Sequence, residues 1–369
     1  MKLIQASKDI LLKPLQSVIG VVERRQTLPI LANVLVRVDQ GQVIFIATDL
    51  ELQLAANGTT ENKTTHTAEF TVSGRKFSDI LRSFPDGEQV ILESHDNRLT
   101  VKAGRSRFQL QTLPVADFPT MGEVSSPVTA LRFSQAQFKR MLEQVNYSMA
   151  QQDIRYYLNG LLLAIEQIEL RLVATDGHRL AMVTDSIAPQ ETSQEVILPR
   201  KAIQELVKLL KDEDIPMEVA LMGNLLKAEF SGITLLTKLI DGKFPDYQRV
   251  IPVGYTNQFD VSRKELLSAL QRVSILSTDK FRGVRWVVTK DVLTIASTNA
   301  DQEEAQEELP IQYDGAALDI GFNVDYLMDV LQHGASEFVH CSLGDANSSM
   351  LVTHVDSPTF RYVVMPMRI

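Results

Sequence analysis

Apolar positions recur at helical spacing three times along this chain, each time just after a serine. From Ser7 the sequence reads S-K-D-I-L-L-K-P-L-Q-S-V, from Ser134 S-Q-A-Q-F-K-R-M-L-E-Q-V, and from Ser262 S-R-K-E-L-L-S-A-L-Q-R-V. Leu11, Leu15 and Val18 fall at the same places as Phe138, Leu142 and Val145, and as Leu266, Leu270 and Val273. A serine ahead of such a stripe predicts an N-capped amphipathic helix. The intervals, 127 and 128 residues, are a domain length and far too long for a solenoid unit. They predict a triplicated domain.

The landmarks after each helix keep one order. Ala47-Thr48-Asp49, Ala174-Thr175-Asp176 and Ser297-Thr298-Asn299 close β-rich runs, and helix-like segments follow near 75–84, 200–210 and 324–333. Phe108 to Pro114 aligns with Phe360 to Pro366 and with Thr234 to Leu239, and Phe118-Pro119 and Phe244-Pro245 end the first two copies. Alternating runs such as Val34 to Val38, Gln42 to Ile46 and Arg98 to Val101 read as half-buried strands. Each copy is thus a strand, a helix, several strands, a helix and more strands. That is an α+β domain with antiparallel sheet and helices on one face. Stretches 114–130 and 245–258, rich in Pro, Gly and polar residues, are the linkers. Domains of 1–127, 128–256 and 257–369 follow.

Of the 369 residues, 44% are apolar, enough for a core in each copy. No apolar run approaches the roughly 20 residues that span a bilayer, and the first residues form no signal-peptide core. The lone Cys341 makes no internal disulfide, which fits a reducing cytoplasm. The net charge of −9 argues against nucleic acid until its distribution is considered. The six helix-like segments sum to +8, which leaves −17 on the remainder. Basic helices on an acidic shell attract a polyanion to one surface and repel it elsewhere. The competing reading is that lysine and arginine simply favour exposed helix faces. Only the last helix is acidic. The run Glu303-Glu304-Ala305-Gln306-Glu307-Glu308 falls on an expected strand, where it either guards a sheet edge or meets a basic partner strand.

Catalytic patterns are missing. No phosphate-binding glycine loop, H-E-x-x-H, C-x-x-C or G-x-S-x-G occurs, and the six histidines have no zinc-ligand spacing. Thr175-Asp176-Gly177-His178-Arg179 is the best candidate, but the first copy reads T-D-L-E-L there and the third T-N-A-D-Q. One peptide rarely supplies the convergence that acid–base chemistry needs, so a turn or a partner groove is expected. No enzyme activity, cofactor or metal is expected.

The triplication, R-Y-Y-L-N-G at 155–160, A-T-D-G-H-R-L at 174–180, K-F-R-G-V at 280–284, G-F-N-V at 321–324 and the terminal Y-V-V-M-P-M-R-I resemble the bacterial sliding-clamp family, the beta subunits of DNA polymerase III. The resemblance spans the chain. It implies a head-to-tail homodimer, a ring with helices inside and antiparallel sheets outside, that encircles duplex DNA without reading its sequence. It implies a clamp loader, the replicative polymerase and other proteins as partners, and no membrane. By the resemblance Arg25, Gln152, Tyr156 and Tyr157 touch DNA, the two tyrosines having packing as their alternative role. The implied peptide pocket comprises Leu158, Thr175, Gly177, His178, Arg179, Leu180, Pro245, Arg249, Val250, Asn323, Tyr326, Ser349, Val363, Val364, Met365, Pro366 and Met367, with Arg179 and Arg249 at its edge. Val363 and Val364 also fit an ordinary core strand, and Asn347 stands where relatives more often have an apolar residue. The implied dimer contact sets Phe108 and Leu110 against Ile275 and Leu276, with Arg105, Arg107 and Lys76 facing Glu303, Glu304 and Glu307. The alternative is a scaffold of the same repeats that binds proteins without encircling DNA.

Overall fold

The structure, a computed structural model, describes residues 1–22, 28–60, 67–122, 129–277 and 282–368. The first copy runs β1 (Lys2–Ser7), α1 (Lys8–Val18), β2 (Asn33–Asp39), β3 (Gln42–Thr48), β4 (Leu52–Thr59), β5 (Ala68–Ser73), α2 (Gly74–Ser83), β6 (Gln89–His95), β7 (Arg98–Ala103) and β8 (Ser106–Gln111). The second runs β9 (Thr129–Ser134), α3 (Gln135–Val145), β10 (Gly160–Glu166), β11 (Glu169–Thr175), β12 (Arg179–Ser186), β13 (Gln194–Pro199), α4 (Arg200–Leu209), β14 (Pro216–Met222), β15 (Leu225–Phe230) and β16 (Ile233–Lys238). The third repeats the order: β17 (Asn257–Ser262), α5 (Arg263–Val273), β18 (Gly283–Thr289), β19 (Val292–Thr298), β20 (Glu304–Pro310), β21 (Leu318–Asn323), α6 (Val324–Gln332), β22 (Phe338–Leu343), β23 (Met350–His354) and β24 (Ser357–Val364).

The triplication extends to single hydrogen bonds. The first helical N–H of α1, α3 and α5 donates to a backbone carbonyl beyond the second helix: Lys8 to Glu88 at 2.8 Å, Gln135 to Ile215 at 2.8 Å and Arg263 to Glu337 at 2.9 Å. The side chains at these positions differ, yet each ties one helix start to the other helix's end. Lys8 Nζ reaches the Phe84 carbonyl at 2.7 Å, Gln135 Oε1 accepts from the Lys211 N–H at 3.2 Å, and Arg263 Nη1 reaches the Leu331 carbonyl at 2.7 Å. Such bonds satisfy helix-end groups that would otherwise stay orphaned. Ser262 also caps through its side chain, accepting from the Glu265 N–H, whereas Ser7 holds the cap position without a side-chain bond. The predicted apolar stripes are the buried faces: Leu11, Leu15 and Val18, Phe138, Leu142 and Val145, and Leu266, Leu270 and Val273. Each such burial contributes about 1.5–3 kcal/mol.

Among the described residues all sheets are antiparallel. Two have four strands, ordered β1-β6-β7-β8 and β20-β19-β18-β21, and two have eight, ordered β5-β2-β3-β4-β16-β15-β14-β9 and β13-β10-β11-β12-β24-β23-β22-β17. Each eight-stranded sheet joins two copies edge to edge, through β4–β16 and β12–β24. For this reason the compact units do not coincide with the copies. One unit is Met1–Ala136 with Lys208–Leu239, the other Gln137–Val207 with Ile240–Ile369, and the middle copy is shared between them. In the first unit α1 packs on α2 and on β4. Pro14 has no N–H for the Ile10 carbonyl, and Gly58 of β4 comes so close that a Cβ would lie 2.4 Å from that oxygen. In the second unit α5 packs on α6. No helix among the described residues is long and apolar enough to cross a membrane.

Candidate docking groove and open sheet edges

The T-D-G-H-R peptide is a turn, and the turn is one wall of a groove. Asp176 Oδ1 accepts from the His178 N–H at 2.9 Å and the Arg179 N–H at 3.0 Å, while Thr175 Oγ1 accepts from the Gly177 N–H at 3.1 Å and donates to the Arg179 carbonyl at 2.6 Å. Gly177 has φ +92°, a conformation that costs a side-chain-bearing residue about 1–2 kcal/mol. The first copy forms the same turn with Leu50 at φ +80°. Facing the Gly177 turn are the 3₁₀ segments Tyr156–Asn159 and Tyr247–Val250 and the end of β24. Together they enclose about 170 Å³ lined by Leu158, Leu180, Pro245, Tyr247, Val250, Val363 and Met365, with Arg155, Tyr157, Thr175, Gly177, His178, Arg179 and Asp246 completing the wall. The groove is mostly apolar with charge at its mouth, which suits an apolar peptide anchor.

Arg179 braces this wall from behind. Its Nε donates to Asp176 at 3.1 Å, Nη2 to the Tyr147 carbonyl at 2.7 Å and Nη1 to Asp329 of α6, and its guanidinium carbon lies 4.4 Å from the centre of the Tyr326 ring. Burial opposes its charge, but Tyr362, Asp329 and Asp176 outweigh that and raise its pKa. The same burial raises Tyr147 and Tyr362. Nearby, Asp153 takes the Arg155 N–H at 2.8 Å and Nε at 3.0 Å, and those bonds lower its pKa to about 2. Asn159 also holds the Asp153 backbone, so residues 153–159 form a stapled loop.

Among the strands that end a sheet in the described residues, β8 pairs only with β7 and β20 only with β19. Phe108 of β8 packs on Phe84 at the end of α2, with ring centres 5.9 Å apart, and Ile275 beyond α5 is 77% exposed. Alternation along β20 puts Glu307 on the α5 side, where Arg272 clamps it with bonds of 2.7 and 2.9 Å, and Glu304 on the opposite face.

DNA polymerase III beta subunit family models match the chain three times in order, the N-terminal domain over 1–122, the central domain over 132–246 and the C-terminal domain over 248–368. The beta sliding clamp of Pseudomonas aeruginosa is 46% identical over 365 residues, 98% of both chains, and that of Escherichia coli 43% over 362 residues, 98% of both. A crystal structure of the Pseudomonas aeruginosa clamp superposes with a TM-score of 0.96 at 43% identity over all of both chains. Another, bound to griselimycin, gives 0.95 at 44% identity over 99% of each. The chain belongs to the beta sliding clamp family. Members are non-catalytic processivity factors that form dimeric rings on DNA and tether the polymerase and other proteins through a peptide pocket.

Within this clamp chain the expected pocket residues separate into two groups. Leu158, Thr175, Gly177, His178, Arg179, Leu180, Pro245, Val250, Val363 and Met365 line the groove. Arg249 is bound to Asp246 at 2.7 Å and Asn323 caps α6. Tyr326 lies beneath Arg179, while Ser349 and Pro366 are half-buried outside the lining. Val364 points into the core because strand alternation turns it away from Val363. Met367 donates its N–H to the Gly321 carbonyl at 2.8 Å and lines a different cavity beside Arg285 and Asp319. Arg179, expected at the pocket's edge, is instead internally bonded and only 10% exposed. Arg155, Tyr157, Asp246 and Tyr247 were not anticipated in the groove. The first two flank Tyr156 in R-Y-Y-L-N-G, and the other two follow Phe244-Pro245, so motif edges held the signal.

Of the expected DNA contacts, Arg25 lies outside the described residues. Gln152 and Tyr156 are exposed, Gln152 at φ +55° and Tyr156 stacked edge-on against Tyr157. Tyr157 packs on the groove's apolar cluster, the alternative role considered for it. At the open edges Lys76, Arg105 and Arg107 are exposed, Leu110 and Leu276 are half-buried, and Glu303 is engaged by Asn299. The acidity of α6 also has an internal cause: Asp325 holds Arg282 at 2.5 and 2.8 Å, and Asp329 holds Arg179.

Proposed function

We propose that the groove beside Gly177 is this clamp's docking site and that β8 and β20 are its ring-closing edges, the docked peptide lying on Leu158, Leu180, Val250, Val363 and Met365. One observation carries the edge assignment. The third strand of each copy's inner meander pairs with the last strand of the next copy, β4 with β16 and β12 with β24. Repeating that rule leaves β20 needing a β8, which only a second copy supplies in a head-to-tail contact. In that contact Phe108 and Leu110 meet Ile275 and Leu276 on the helix side, and Arg107 meets Glu304 on the other. Glu307 has Arg272 as its partner within the chain, so it contributes less to the seam than Glu304. Domains of 1–127, 128–256 and 257–369, DNA contact through Arg25, Gln152 and Tyr156, and a cytoplasmic location complete the reading.

Loading on nicked circular DNA by the clamp loader, followed by linearisation, tests the ring. A topological clamp slides off the ends, and retention overturns the reading. Griselimycin is the probe for the groove: Leu180→Ser and Val363→Ser should weaken its binding, and unchanged affinity in both would place the ligand elsewhere.

A further inference from the structure

Building on the docking groove assigned above, we propose that Gln53 confines docking to one of the two junctions between copies in this chain. It does so by breaking an apolar floor that the second junction keeps whole. The two junctions share a backbone frame. Thr48 Oγ1 accepts from the Leu50 N–H at 3.1 Å, as Thr175 Oγ1 does from Gly177. The Lys238 N–H donates to the Glu51 carbonyl at 2.9 Å, as the Met365 N–H does to His178. Opposite the threonine of each copy, the strand register places Gln53 in the first, Leu180 in the second and Glu304 in the third. Of the three, Leu180 alone is apolar.

That position decides whether the floor is continuous. Leu180 shares its strand face with Met182 and lies opposite Val363 across the seam, and all three belong to one apolar cluster with Leu162, Phe244 and Tyr247. Gln53 shares its face with Ala55 and lies opposite Leu236. Here the neighbours fall into separate clusters, Ala55 with Leu35, Ile46 and Phe118, and Leu236 with Met222 and Met121. Gln53 Oε1 accepts from the Met121 N–H at 2.9 Å, which pins a polar side chain between them. An apolar anchor laid on it would strip water from the amide, a penalty that the leucine of the second junction does not impose. The rim differs as well. Lys238, bound to Glu51 at 3.1 Å, stands where Met365 lines the groove, and Leu50 stands where Gly177 leaves the turn bare.

The test is calorimetric titration of the full chain with griselimycin. Leu50→Gly, Gln53→Leu and Lys238→Met together should raise the stoichiometry from one to two per chain. Leu50→Gly with Lys238→Met, which keeps Gln53, should leave it at one. Adding Val363→Ser to the triple variant should remove the original equivalent and spare the new one. Leu50 has φ +80°, a conformation glycine adopts freely, and thermal melting verifies that each variant folds. A folded triple variant that still binds one equivalent, a double variant that binds two, or a parent that binds two would each overturn the assignment of Gln53 and leave the groove standing. Val363→Ser in the parent should abolish its one equivalent; persistence would place docking elsewhere and overturn both.

Discussion

Replacing Arg179 by methionine removes the guanidinium while keeping most of the stem. The loss unpairs Asp329 and Asp176 together, frees the Tyr147 carbonyl and ends the contact with the Tyr326 ring. Breaking a buried ion pair from one side costs about 3–5 kcal/mol. Asp329 retains 30% exposure, so water softens the penalty and the lower end, about 3 kcal/mol, applies. A body of this size shifts about 2–4 °C per kcal/mol, which predicts a fall of about 6–12 °C for the calorimetric transition of the unit containing Arg179. The groove wall should suffer too, because Asp176 sets the backbone of Gly177 and His178, and griselimycin affinity should drop about tenfold. Adding Asp329→Asn to Arg179→Met should cost less than the sum of the two single changes by about 1 kcal/mol or more. A melting temperature within 2 °C of the parent's, or strict additivity of the pair, refutes the brace.

Gly177→Ala forces a Cβ to 3.1 Å from the Arg155 guanidinium at φ +92°, so stability should fall about 1–2 kcal/mol and titration with griselimycin should show weaker binding. His354 is buried with Nε2 unpartnered and stacked on Phe360, and burial lowers its pKa to about 4, with Asp356 opposing and Arg263 adding to the shift. Because the folded value lies below the ordinary value near 6.5, the unfolded chain binds the extra proton first, and stability is lost as pH falls from about 6.5 toward 4. About 2 kcal/mol should disappear between pH 7 and 5, and His354→Leu should flatten that slope in a denaturant titration; an unaltered slope excludes His354 as its source. Ile275→Ala with Leu276→Ala should shift sedimentation at nanomolar concentration toward monomer, and an unchanged dimer mass would place the seam elsewhere.

Triplication, the helix stripes and the order of elements were legible in the chain because buried faces impose a fixed spacing on apolar residues. Leu11, Phe138 and Leu266 recur where a helix must meet a sheet, whatever stands between. Gly177-His178-Arg179 was legible as a departure in residue type at a turn the first copy shares, though the fate of its arginine was not. Arg179 reads as a surface cation in sequence, and only the fold brings Asp329, 150 residues away, and the Tyr147 carbonyl to it. Lys8, Gln135 and Arg263 stand at one repeat position directly after the aligned serine, but their side chains differ, so the linking task they share is visible only in the bonds they make. Tertiary structure also decided that Val363 lines the groove while Val364 enters the core, since alternation along a strand fixes faces but not which face is outermost. The joining of copies through β4–β16 and β12–β24, and with it the lack of such a partner for β8 and β20 within the described residues, depends on backbone groups that every residue carries alike. Local sequence therefore determined the repeated domain, and long-range backbone pairing and burial decided where the repeats join, where they stop, and which side chains line the groove.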